Sequence, residues 1–128
     1  MSRFFAILIF FYSNTLLANW FAFSETELAT HFSSDTAIIN NDGKVLVWEM
    51  QNLKKDSFFD SVKSYRFRSE YDCELYTYRV MFYTSHTGLM GMGEQINYVQ
   101  QPGISYAVIP GTPSDFMFKK VCGINSVS

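Results

Sequence analysis

The sequence predicts an α+β domain that is mainly β: an antiparallel sheet with a short C-terminal helix packed on it and tied to it by a disulfide. Three observations carry this expectation. Residues 62–82, VKSYRFRSEYDCELYTYRVMF, alternate apolar and polar side chains over most of their length. Such alternation marks half-buried strands, because successive side chains point to opposite faces. Residues 112–123, TPSDFMFKKVCG, carry the start and stop signals of a short helix. Cys73 and Cys122, the chain's two cysteines, fall one in each stretch.

The composition sets the bounds. A chain of 128 residues suits one domain. Hydrophobic residues at 48% and charged residues at 17% exclude a disordered chain. A net charge of -2 supplies no basic field for nucleic acid. Thirteen Phe and eight Tyr favour strands and fill a small core with large side chains.

Residues 1–18 have the layout of a secretory signal peptide. Arg3 precedes a dense apolar run over residues 4–12, and Leu16-Leu17-Ala18 ends on a small residue. The run is too short to span a bilayer, and Ser13, Asn14 and Thr15 interrupt it. No cysteine follows the expected cut, which excludes lipid attachment there. Residues 19–128 are then a single mature domain without a transmembrane segment, of about 110 residues and a charge of about -3. Export and an even cysteine count together favour a Cys73–Cys122 bridge.

In chain order, WFAF at residues 20–23 suggests a short strand, and residues 25–33 a second, weakly marked one. Residues 36–40 are short and β-branched. Asn41-Asp42-Gly43 is the strongest turn signal, since Asp-Gly supplies the positive φ values of tight hairpins. Residues 44–50, KVLVWEM, form a strand with Leu46, Trp48 and Met50 on one face and Val45, Val47 and Glu49 on the other. Apolar residues on both faces suggest a central strand. Residues 52–60 read as a polar loop in which Phe58-Phe59 dips to the core or lies exposed.

Within residues 62–82, Tyr65, Phe67, Tyr71 and Cys73 share one parity, while Ser64, Arg66, Arg68, Glu70 and Asp72 take the other, wet one. Beyond Cys73 the more apolar row becomes Tyr76, Tyr78, Val80 and Phe82. That change of parity requires a bulge or a strand reversal at residues 73–75, and the sequence leaves both open. Residues 84–97, with Gly88, Gly91 and Gly93, read as a flexible loop with apolar tethers. Residues 105–109 are expected to pair briefly with an edge. Thr112 is the expected N-cap, Pro113 the first helical residue, Asp115 the N3 acid and Gly123 the C′ residue. Phe118, Val121 and Cys122 share the buried face, and Lys119 and Lys120 complement the helix dipole.

Neither histidine, His31 nor His86, has metal-ligand spacing, and the Gly/Met loop matches no nucleotide or copper pattern. Glu70, Asp72 and Glu74 cluster near the bend, but a wet face gives no reason for a raised pKa. A non-enzymatic protein without cofactors is therefore expected.

Taken in order, Trp20, VLVWEM, SVKSYRFRSEYDC, MGMGE and VIPGTPSDFMFKKVC resemble the surface-adhesin protein E family of Gram-negative cell-envelope proteins. Tyr106 stands where a tryptophan is commonly expected, and Thr112 where a serine is usual. The resemblance implies a sheet of about six strands, display in the periplasm or at the outer-membrane surface, and attachment to host extracellular-matrix or serum proteins. It assigns no ligand residues. The exposed charges Lys54, Lys55, Arg66, Arg68 and Arg79 are the candidate partner contacts. The alternative is a periplasmic structural or inhibitor-like protein presenting residues 84–97. An exposed sheet edge also allows a homodimer by strand addition.

Overall fold

A computed structural model of the chain describes residues 19–55 and 61–123. The expected signal segment at residues 1–18 and the Phe58-Phe59 pair lie outside them. Six strands follow one another across a single antiparallel sheet: β1 (Trp20–Glu25), β2 (Ala29–Ile39), β3 (Val45–Leu53), β4 (Ser64–Asp72), β5 (Thr77–His86) and β6 (Gln95–Val99). A two-residue strand, β7 (Tyr106–Ala107), pairs with the start of β5, and helix α1 (Pro113–Cys122) closes the fold. Sheet order equals chain order, so every connection in the six-stranded path is a hairpin.

Local side chains make these hairpins. Thr26 Oγ1 accepts from the Leu28 and Ala29 amides between β1 and β2. Asn40 Oδ1 accepts from the Asp42 and Lys44 amides at 2.9 and 3.0 Å between β2 and β3. Gly43 there has φ +77°, which a side chain would resist. Asp72 Oδ1 accepts from the Glu74 and Leu75 amides, and the Tyr76 amide donates to the Asp72 carbonyl. Residues 73–75 are thus a strand reversal. The segments expected separately at 25–33 and 36–40 join in β2, with an irregularity between Ser33 and Ala37.

A bulge does occur, but further along. Arg68 pairs with Phe82 and Ser69 with Val80, which leaves Met81 extra in β5. This corrects the apolar row read from Tyr76 to Phe82. Tyr78 pairs with Tyr71 beneath the helix, whereas Phe82 packs on Trp48 on the opposite face. An inserted residue shifts side-chain parity by one.

On one face, α1 packs over Val45, Val47 and Tyr71, with Met117 and Phe118 fully buried. The Phe118 ring lies 4.5 Å from that of Tyr76 and 6.4 Å from that of Tyr71. Thr112 is the N-cap, accepting from the Asp115 amide, and Gly123 ends the helix at φ +65°. The Gly111 amide donates to Asp115 and holds its carboxyl below the usual range, helped by Lys119. The Cys73–Cys122 disulfide joins the β4–β5 turn to the last residue of α1 across 5.6 Å between Cα atoms.

The stretch expected as a flexible loop at 84–97 is mostly ordered structure. Thr84 to His86 complete β5, Gln95 begins β6, and a 3₁₀ turn (Leu89–Gly91) lies between. Its tethers are polar rather than apolar. Asn52 Oδ1 accepts from the Met90 amide at 2.7 Å, while Ser64 Oγ donates to the Gly88 carbonyl and accepts from the Gly91 amide.

Candidate binding face

The sheet face opposite α1 follows from strand alternation and register. Trp48, Arg68 and Phe82 stand side by side across β3, β4 and β5. The next row is Met50, Arg66 and Thr84. The guanidinium carbon of Arg66 lies 4.8 Å from the Trp48 ring centroid and that of Arg68 lies 5.2 Å from it. Arg66 also approaches Trp20, at 6.0 Å. Phe82 meets Trp48 edge-on at 5.1 Å, and Tyr98 extends the aromatic floor beside Phe82. Each cation–π contact at a half-exposed site contributes about 0.5–1 kcal/mol, and the pair places both guanidiniums over the one indole.

The electrostatics distinguish these two arginines from the other basic candidates. Among the described residues, neither Arg66 nor Arg68 makes a salt bridge with a carboxylate. Arg68 Nε is buried with no hydrogen-bond partner, so this cation is only partly satisfied within the chain. Arg79 lies on the same face but donates to Glu70 Oε1 at 2.9 Å. Lys54 pairs with Glu25 at 2.7 Å near the sheet's end, and Lys55 is exposed beside it. Of the five basic residues, the fold brings Arg66 and Arg68 together and leaves Lys54 and Lys55 apart from them.

Two expectations about this face change. Glu70 is not on a wet surface: it is 5% exposed, and Asn40 Nδ2 and Arg79 Nε both donate to it. A buried carboxylate is tolerable when paired in this way. Trp48, read from sequence only as part of a central strand, forms the centre of the site. The signal was present in Arg66 and Arg68, two residues apart and so of one parity, but the facing strand was needed to supply the ring. His86 lies at the rim, its Nε2 2.8 Å from Thr84 Oγ1. Burial, with the Arg66 charge, lowers its pKa and keeps it neutral near pH 7.

The helix side holds a second group of polar residues. Glu49, 4% exposed, accepts from the Tyr71 hydroxyl at 2.9 Å. Burial pushes its pKa up to about 7, and the Tyr71 hydrogen bond offsets this in part. Tyr71 in turn is raised well above the usual tyrosine value by burial and the nearby Glu49. No group of three or more His, Cys, Asp or Glu among the described residues is placed to hold a metal ion. No described helix is long and apolar enough to cross a membrane.

A disulfide-pinned meander with one cationic and aromatic face defines a small β domain. The chain belongs to the surface-adhesin protein E family, whose model matches residues 20–123. Its fold is similar to that of Haemophilus influenzae protein E, with TM-score 0.61 and 11% identity over 88% of this chain and 90% of that one. A second crystal form of that protein gives TM-score 0.55 and 12% identity over 75% of this chain and 82% of that one. Identities this low carry the fold alone. No curated protein matches the sequence significantly.

Proposed function

We propose that this protein is an exported cell-envelope binding protein of adhesin type that attaches to host extracellular-matrix or serum proteins through the Trp48–Arg66–Arg68 face. The observation that carries this reading is the pair of guanidiniums held on one indole, without a carboxylate partner among the described residues. Such a surface suits a partner offering carboxylates beside apolar groups. Export rests on residues 1–18 acting as a cleaved signal, so that the mature chain begins near Asn19. Family membership supports the adhesin class.

Solid-phase binding of the mature protein to laminin and vitronectin tests the reading. Saturable binding is expected, weakened at least about tenfold in Arg66→Gln/Arg68→Gln. No saturable binding at micromolar concentration would sink it. A periplasmic inhibitor-like role is the second reading. It is favoured by the tethered β5–β6 turn, which exposes Leu89 and Met92. Surface protease treatment of intact cells divides the two: complete protection favours the periplasm. A homodimer through a sheet edge belongs to either reading and is checked by light scattering.

A further inference from the structure

α1 covers only part of its face of the sheet. Beyond its first turn, the sheet and the segment leading into the helix enclose a cleft of about 210 Å³. Phe67, Tyr71 and Tyr78 form its aromatic walls, with Ile109 and Pro113 opposite. Glu49 lines this cleft, more than nine-tenths buried, and among the described residues only the Tyr71 hydroxyl donates to it. Ser69 Oγ lies beside the carboxyl, near enough to favour its charge but outside hydrogen-bond geometry with any partner. Among the described residues, no lysine or arginine pairs with Glu49. The other ionisable groups facing the cleft are His31 from β2, Tyr71 from β4 and Tyr78 from β5. Burial lowers the His31 pKa, so the ring is neutral near pH 7. The positive end of α1 reaches the cleft, but Thr112 caps its Asp115 and Phe116 amides, and the Asp115 carboxylate accepts from the Gly111 amide just before the helix.

A desolvated carboxyl without a cation, walled by aromatic side chains, is complementary to an organic cation. Liquid water takes about 30 Å³ per molecule, so the cleft has room for the five heavy atoms of a butylammonium arm. A groove of about 440 Å³ adjoins it, sharing Gln51 and Phe67 and continuing over Tyr65, Tyr83 and Tyr106. We propose that the cleft binds an alkylammonium group, presented by the lysine side chain of an extended peptide whose backbone lies in the adjoining aromatic groove. The site lies on the face opposite Trp48 and stands independently of the reading given for that face.

The test is calorimetric titration of the mature protein with N-acetyl-lysine N-methylamide, its uncharged norleucine counterpart, and n-butylammonium. The lysine compound is expected to bind saturably, with both other compounds at least about tenfold weaker. Near pH 7 its binding should release part of a proton, since the cation favours ionised Glu49. Glu49→Gln should lose at least about tenfold in affinity together with that proton release. Ile109→Trp, at an exposed wall position, narrows the cleft without touching the carboxyl and should also weaken binding. Equal binding by the native protein and either variant, equal binding of the norleucine compound, or no saturation by about 10 mM would overturn the site. Butylammonium binding as tightly as the lysine compound would overturn the peptide source.

Discussion

Glu49 couples stability to pH through a single buried carboxyl. Its folded pKa of about 7 lies above the ordinary glutamate value of 4.5. Between those values the folded state keeps a proton that the unfolded chain has released. The stability this group contributes is complete below about pH 4.5, falls as pH rises, and is lost above about pH 7. Glutamine resembles the protonated acid and can still accept from Tyr71. Glu49→Gln is therefore expected to match the native protein near pH 4 and to exceed it at pH 8 by on the order of 3 kcal/mol. Urea unfolding at several pH values measures the difference. Parity alone placed Glu49 on the same face as Val45 and Val47, and that placement holds. Its burial was not legible, because the residues that cover it come from the far end of the chain.

At the level of elements, the disulfide and the polar tethers act across long sequence distances. Cys73 and Cys122 are separated by 49 residues. Closing such a loop removes unfolded-chain entropy worth about 4 kcal/mol in the loop-closure model. A ten-residue helix is marginal by itself. Cys73→Ala/Cys122→Ala should lower the melting temperature and speed amide exchange throughout α1 before the central strands. Asn52→Ala removes the acceptor for the Met90 amide, at a cost of about 1–2 kcal/mol, and should release the 3₁₀ turn to faster exchange. The caps at Thr112 and Gly123, the Asn41-Asp42-Gly43 turn and the bridge were legible because short-range chemistry or cysteine count dictates them. Asn52 and Ser64 looked like ordinary polar residues, since their partners at Met90 and Gly88 lie 38 and 24 positions away. The bulge at Met81 left no local mark, because its register is set against β4.

On the scale of the whole molecule, one sheet separates two unlike surfaces. The helix side offers aromatic rings around a buried acid; the other offers rings beneath two arginines. Partner binding to the arginine face is expected to weaken as ionic strength rises, and that dependence should shrink in Arg66→Gln/Arg68→Gln. Titrating salt in the solid-phase assay measures both. Strand alternation made this division visible in β3 and β4, where Arg66 and Arg68 were correctly placed opposite Tyr65 and Phe67. It gave Glu70 its face but not its burial, because Asn40 from the β2–β3 turn and Arg79 from β5 close over that carboxylate.

The agreement between sheet order and chain order has a consequence in time. As the chain emerges from its N-terminus, each new strand of the six finds its neighbour already made, so the sheet can grow without waiting for a distant segment. The covalent link cannot follow that schedule, since Cys122 arrives after every strand is complete. Two cysteines allow one intramolecular product. An oxidant alone is therefore enough to finish the molecule, and no isomerase is needed to choose among pairings.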